Sequence, residues 1–309
     1  MTAIRLRAFV LLFASMALVG SYVALSKPLV AVFPVFLLGA LRFGIAVIAM
    51  APWTTARSDE APLTRDEHRA LFLTSFFGNF LFSICMLYGV SLTSVSAAGV
   101  ILSTLPAVVA LLSWFVLRER FGARAALAVA LAVGGIGALH LGASGESRVA
   151  SWLGNTLVLG SVLCEATYVI LGKRLAASRT PLRISALINL WGFVLMAPLA
   201  VAQAIAYAWA EVSVSMWALL VFYSIAASLI APWLWLGGLK HVPANQAGVF
   251  TVALPLTATL IGVLAFGERF TLPIAVALLC ATAGIVLISW PVAQKKSVPD
   301  PDFSTRPGP

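Results

Sequence analysis

Ten apolar runs, separated by short polar connections, follow one another along the chain. Each holds about 20 predominantly apolar residues, the length that an α-helix needs to cross the hydrocarbon core of a bilayer. The runs cover residues 8–26, 33–51, 71–90, 97–117, 123–141, 152–172, 184–204, 217–238, 247–267 and 272–292. This pattern predicts an all-α membrane protein with ten transmembrane helices.

The second half of the chain repeats the first. Residues 87–136 align with residues 236–285 without a gap, and sixteen of the fifty positions are identical. The identities include Pro106, which aligns with Pro255, and richness in Leu and Ala does not explain matched prolines. The chain is therefore expected to consist of two related units.

Each copy predicts one five-helix unit, the first at residues 1–142 and the second at residues 150–293. An odd number of helices makes the second copy enter the membrane from the opposite face, so we expect two inverted repeats around a central cavity. The first helix follows Arg5 and Arg7, as in a signal peptide. Because its repeat mate is internal, we interpret it as a retained helix. The proline-rich segment 294–309 is expected to be a disordered cytoplasmic tail.

Composition excludes the soluble classes of protein. Hydrophobic residues make up 61% of the 309 residues, charged residues 10%, and the mean hydropathy is +1.02, whereas soluble domains carry about 25% charged residues. The net charge of +9 is scattered over short loops rather than gathered on one face, so nucleic acid is not an expected partner. The three cysteines lie inside apolar runs, where small buried hydrophobes are expected rather than metal ligands or disulfides. We expect no metal and no cofactor.

The distribution of Lys and Arg predicts the orientation. With the amino terminus in the cytoplasm, sixteen of the 20 Lys and Arg residues lie on the cytoplasmic side and three on the other. Positive residues favour cytoplasmic loops. Both termini are therefore predicted to be cytoplasmic.

The fourth helix of each copy passes through a proline to a Glu-Arg-Phe end. The two segments read LPAVVALLSWFVLRERF and LPLTATLIGVLAFGERF. With these segments and its duplication, the chain resembles the EamA-like branch of the drug/metabolite transporter superfamily over residues 8–292. The resemblance implies a ten-helix exporter of small metabolites, often amino acids, in the bacterial inner (plasma) membrane. Within that family the chain is similar to YddG-type exporters of aromatic and neutral amino acids.

Glu165 lies in the middle of the sixth run, where a carboxylate is costly unless it faces a partner or water. It shares one helical stripe with Ser161, Cys164 and Tyr168. Two interpretations remain open. Glu165 attracts a substrate ammonium group or carries a coupling proton, or it is structural, paired with Arg42 or protonated and hydrogen-bonded to a neighbouring helix.

Other polar side chains at similar depth complete the predicted substrate site. The predicted substrate-binding residues are Tyr22, Asn79, Tyr88, Ser103, Glu165, Tyr168 and Trp233. Tyr22 is the repeat mate of Tyr168, and the amide of Asn79 needs partners that a cavity supplies. The stripe that contains Asn79 also suits helix–helix contact, and Trp233 also suits the interfacial aromatic belt.

Arg42 and the matched prolines have less certain places in this scheme. A guanidinium suits a substrate carboxylate, but the second copy has Ile188 at the position of Arg42. Because second helices in this family tend to lie outside the cavity, we expect Arg42 to snorkel or to cap a neighbouring helix. Pro106 and Pro255, inside predicted helices, predict two kinks that act as hinges.

The favoured hypothesis is a secondary or facilitated exporter of small metabolites, above all aromatic or neutral amino acids, that works by alternating access. The chain contains no HExxH, P-loop or GxSxG pattern, so we expect no enzyme. The bilayer and a small-molecule substrate are the expected partners, and a proton is a candidate coupling ion. The alternatives are an exporter of cationic amphipathic drugs and, less favoured, a membrane-embedded enzyme or channel.

Overall fold

The computed structural model describes residues 3–55, 62–117, 123–141, 146–175, 180–239, 241, 250–251 and 253–289. The regular structure of these residues is helical, as expected for a backbone that has to satisfy its own hydrogen bonds in lipid. The segment 294–309, predicted as a tail, lies outside the described residues.

All ten apolar runs fall on helical segments. The first half contains α1 (Ala3–Val32), α2 (Val35–Ala49), α3 (Arg65–Ser75), α4 (Phe82–Leu92), α5 (Val95–Leu102), α6 (Leu105–Leu117) and α7 (Ala123–Leu141). The second half contains α8 (Glu146–Leu175), α9 (Pro181–Ile205), α10 (Val214–Ile225), α11 (Ala231–Leu239), α12 (Ala253–Phe266) and α13 (Leu272–Ser289).

Apolar helices of spanning length confirm the prediction of an all-α membrane protein. Within the described residues, four segments are long and apolar enough to cross a bilayer, and five further apolar helices are shorter. The four long segments are Leu6–Val32, Arg65–Leu92, Leu182–Ile205 and Val214–Trp235. The count of ten spans and the inverted repeat stay predictions.

A π-helical segment interrupts one long helix in each half. Phe76–Leu81 joins α3 to α4, and Ala226–Ile230 joins α10 to α11. The two segments occupy corresponding positions, since the offset of 149 that aligns the repeats also relates Phe77 to Ala226. Segments of this kind are often found at functional sites because they reorient the side chains that follow.

The two halves interlock rather than lie side by side. Helix α1 of the first half packs against α11 and α12 of the second, and α8 of the second half packs against α4 and α6 of the first. Helices α2 and α9 pack on each other, as do α7 and α13. Each pairing has its repeat-related counterpart, so the core lies between the halves.

Small residues allow the close crossing of α4 and α8. A Cβ at Gly89 would lie 2.7 Å from Cγ2 of Val158, and one at Gly154 would lie 2.9 Å from the carbonyl oxygen of Gly89. Near this crossing the Thr93 hydroxyl donates a 2.6 Å hydrogen bond to Oδ1 of Asn155. Close backbone approach and interhelical hydrogen bonds are what hold helices together in lipid.

Candidate functional site

Arg42 of α2 points into the bundle. It is 9% exposed, and its Nη1 donates to the Tyr22 hydroxyl at 2.9 Å and to Oγ of Ser83 at 3.4 Å. Its Nε is buried without a hydrogen-bond partner. The expectation that Arg42 snorkels outward is therefore wrong, because its charge lies among α1, α2 and α4 and retains an unused donor.

Aromatic rings surround the guanidinium. The Arg42 Cζ lies 4.8 Å from the ring centroid of Tyr22, 4.9 Å from that of Phe43 and 5.8 Å from that of Tyr223. Tyr22 and Tyr223 stack with centroids 4.6 Å apart, and the Tyr223 hydroxyl lies 3.0 Å from Oγ of Ser26. Cation–π contacts of this kind stabilise a partly desolvated cation. We call Tyr22, Ser26, Arg42, Ser83 and Tyr223 the central polar cluster.

Glu165 of α8 provides a negative charge close to this cluster. Its side chain is half-buried, and the charge of Arg42 acts on its carboxylate. The two groups form no ion pair with each other, and within the described part of the chain the carboxylate accepts no hydrogen bond. Tyr168 and Cys164 lie close to the carboxylate, and Cys164 interacts with Cys85 of α4. The site thus offers a cation and an anion that do not neutralise each other by direct contact.

Asn79 and Tyr168 lie between α8, α9 and the π-helical segment of the first half. Nδ2 of Asn79 donates to the Ile188 carbonyl oxygen at 2.9 Å, and Oγ of Ser75 donates to the same oxygen at 2.8 Å. The Tyr168 ring packs on Gly78. The contacts of Asn79 join helices, and its role toward a substrate stays a prediction.

Three other predicted substrate residues lie apart from the central polar cluster. Tyr88 is exposed and meets Phe36 edge-on, with ring centroids 6.3 Å apart. Ser103 is buried and donates to the Val100 carbonyl oxygen at 2.6 Å within its own turn. Trp233 is 62% exposed and lines a groove at the outer surface of α1 and α11.

The matched prolines do not kink continuous helices. Helix α5 ends at Leu102 and α6 begins at Leu105, so Pro106 lies in the first turn of a new helix. Pro255 lies in the first turn of α12, which begins at Ala253. A proline in a first turn removes no intrahelical hydrogen bond, so the predicted kink becomes a break. A hinge at either break remains a prediction.

Glu268, which follows α12, binds the amino-terminal end of α5. Its Oε1 accepts from the Val95 N–H at 2.7 Å, and its Oε2 accepts from the N–H and Oγ of Ser96 at 3.0 and 2.7 Å. Nζ of Lys27, at the end of α1, lies 3.9 Å from Oε1 and donates to the Thr93 carbonyl oxygen at 2.8 Å. A carboxylate at a helix amino terminus satisfies free N–H groups and complements the helix dipole.

The chain around Glu268 is shaped for this contact. Gly267 has a φ of +66°, a conformation that glycine adopts without strain. A Cβ at Gly262 would lie 2.6 Å from Oε2 of Glu268 and 2.9 Å from Oγ of Ser96, so only glycine leaves room there. The contact closes one face of the bundle between the two halves. The related Glu119 lies outside the described residues.

Glu268→Ala is expected to lower the free energy of unfolding by about 1.5–3 kcal/mol, because charged hydrogen bonds contribute that much. The freed N–H groups of Val95 and Ser96 should exchange hydrogen faster, as measured by mass spectrometry on peptides that cover the start of α5. Glu211→Ala, which removes an exposed carboxylate, is the control. Equal exchange in both variants would show that Glu268 does not hold this end of α5.

Sequence reasoning missed two members of the central polar cluster. Tyr223 has Thr74 as its repeat counterpart, which gives no hint of a site, and the only signal is a phenol within an otherwise apolar run. Arg42 was noticed but placed outside the cavity. Metal binding has no support among the described residues, where no three His, Cys, Asp or Glu side chains converge and the three cysteines are free thiols.

Sequence and structure comparisons relate this chain to membrane transporters. The model of the EamA-like transporter family matches residues 6–140 and again 152–290. The chain is 32% identical over 302 residues to the uncharacterized transporter YetK of Bacillus subtilis (strain 168), which covers 94% of this chain and 92% of YetK. YwfM, an uncharacterized transporter of the same organism, is 26% identical over 234 residues, or 71% of this chain and 75% of YwfM. A crystal structure with 19% identity covers 92% of this chain and 98% of its own, with a TM-score of 0.63, and shows a shared fold.

Proposed function

Because the chain belongs to the EamA-like transporter family, and is therefore a multi-pass membrane transporter, we propose that it exports a small zwitterionic metabolite, an aromatic or neutral amino acid. The substrate site in this proposal is the central polar cluster together with Glu165. No ATP-binding motif occurs in the sequence, so transport is secondary or facilitated.

The unpaired opposite charges of Arg42 and Glu165 carry this proposal. The Arg42 guanidinium retains a buried Nε without a partner, and Glu165 accepts no hydrogen bond from the described residues. Charges inside a membrane protein are costly and usually serve a pathway or a ligand. An amino acid supplies the missing partners, since its carboxylate can bind the guanidinium bidentately and its ammonium group can bind the carboxylate. The stacked rings of Tyr22 and Tyr223 offer an apolar surface beside these groups.

Alternating access in this proposal uses the interface between the halves. Glu268 ties the second half to the start of α5 on one face, and transport requires this contact to open. The breaks before Pro106 and near Pro255 and the two π-helical segments lie where the long helices are least regular. They are our candidates for the moving joints.

We further propose two inverted five-helix units in the bacterial inner membrane, with both termini in the cytoplasm. Loops that follow the second helix of each unit then face opposite sides. In a variant without native cysteines, Thr55→Cys is expected to react with an impermeant maleimide from the cytoplasm and Ala210→Cys from the other side. Both positions are exposed. Reaction of both from one side would rule out the inversion.

Counterflow in proteoliposomes tests the proposed substrate class. Vesicles loaded with an unlabelled neutral amino acid should accumulate the labelled one with saturation, and a cationic dye should not compete. Efflux of the dye without amino-acid exchange would favour the alternative, an exporter of cationic amphipathic drugs that uses Glu165. The buried Arg42 argues against that alternative because it repels a second cation close to Glu165. Flux that does not saturate would indicate a channel.

A further inference from the structure

A groove of about 380 Å³ opens between α1 and α11 at the outer surface of the bundle. Its walls come from Ile4, Arg7 and Leu11 on one side and from Trp233, Gly237 and His241 on the other. The volume is at the low end of the roughly 300–1,000 Å³ that ligand sites occupy in proteins. None of the residues of the central polar cluster lines this groove, so it is separate from the proposed substrate site.

The groove has a polar mouth and an apolar depth. Arg7 lies close to the start of α1, and Leu11 lies about one helical turn, roughly 6 Å, further along the axis. Arg7 and His241 are exposed, and neither side chain has a hydrogen-bond or ion-pair partner among the residues that the structure describes. The walls behind them are almost entirely apolar, and Trp233 extends along them.

Gly237 keeps the groove open. A Cβ at this position would lie 3.6 Å from Cδ1 of Leu11, in ordinary van der Waals contact, so a larger side chain would fill the space without striking the backbone. The same two helices are joined deeper in the membrane, where Oγ of Ser15 donates to the Ala231 carbonyl oxygen at 2.7 Å. A ligand in the groove would therefore touch both halves of the protein.

We propose that this groove binds one anionic phospholipid from the leaflet at which α1 begins. The lipid phosphate binds Arg7, with His241 beside it, and an acyl chain lies over Leu11 and Gly237 against Trp233. Arginine suits phosphate because its planar guanidinium donates two parallel hydrogen bonds, and basic pockets between membrane helices bind acidic headgroups. The proposal is independent of which substrate the central site takes.

Native mass spectrometry of the full-length protein tests the binding. Phosphatidylglycerol should bind the wild type at least about tenfold more tightly than phosphatidylcholine of the same chain length, since one charged contact of about 1.4 kcal/mol gives that factor. Arg7→Gln should remove the preference, and Gly237→Leu should weaken both lipids. Arg69→Gln, which removes another exposed arginine, should change neither. Equal affinity of the two lipids for the wild type, or equal loss in Arg7→Gln and Arg69→Gln, would overturn the proposal.

Two further measurements cover a free anion and misfolded variants. Inorganic phosphate at millimolar concentration should not displace phosphatidylglycerol, and displacement would show a free-phosphate site instead. Brominated phosphatidylglycerol should quench the fluorescence of the wild type more than that of Trp233→Phe, with no difference for brominated phosphatidylcholine. Equal quenching of both proteins by the anionic lipid would contradict the placement beside Trp233.

Discussion

Arg42→Met should raise the half-saturating concentration of the amino-acid substrate roughly 10–100-fold in counterflow. The variant keeps an unbranched side chain of similar length but loses the guanidinium, and charged hydrogen bonds contribute about 1.5–3 kcal/mol. An amine with the same side chain and no carboxylate should be transported equally by the wild type and the variant. That selectivity separates loss of a carboxylate contact from general damage.

A second buried arginine of the chain serves as the matched control. Arg183 of α9 is 8% exposed and donates to the Trp53 carbonyl oxygen at 2.7 Å. Arg183→Met should lower the melting temperature without changing the preference for the carboxylated substrate. If Arg42→Met behaves in the same way, the central arginine is a packing element, as first expected from the sequence, and the substrate carboxylate binds elsewhere.

Glu165→Gln should abolish or strongly reduce transport and flatten its dependence on pH. Glutamine has nearly the same shape but cannot bind an ammonium group as an anion and does not titrate. The charged and titratable groups that face Glu165 are Arg42 of α2, Tyr168 and Cys164 of α8, and Cys85 of α4. Transport should be measured from pH 5 to pH 9 with a clamped membrane potential, so that proton coupling and substrate binding are seen separately.

The outcome distinguishes two functional roles of Glu165 from a structural one. Loss of pH dependence with retained exchange indicates proton coupling, and loss of exchange with a carboxylic acid analogue still accepted indicates binding of the ammonium group. Glu211→Gln, at an exposed position outside the bundle, should leave both rate and pH profile unchanged. Wild-type rate and profile in Glu165→Gln would make the carboxylate structural and remove the main support for an amino-acid substrate.

The helices themselves follow from the sequence because each apolar run is long enough to need an internally hydrogen-bonded backbone in lipid. The repeat and the family segments ending at Phe121 and Phe270 were also legible as sequence. The breaks were harder to predict. Pro106 indicated an irregular helix, but whether a proline kinks a helix or begins one depends on the turn before it, here Ser103 and Thr104.

The sequence also singled out Glu165 and Tyr22 by depth and by repeat position, whereas the inward direction of Arg42 and the stack of Tyr22 on Tyr223 are properties of the tertiary structure. The physical reason is the solvent. Lipid is as apolar as the interior of the bundle, so a membrane helix shows no strong amphipathic stripe that tells its inner face from its outer face. Trp233 illustrates the same ambiguity, since an aromatic residue suits a substrate site and a lipid-facing groove equally, and only the packing of α1 against α11 placed it in the groove.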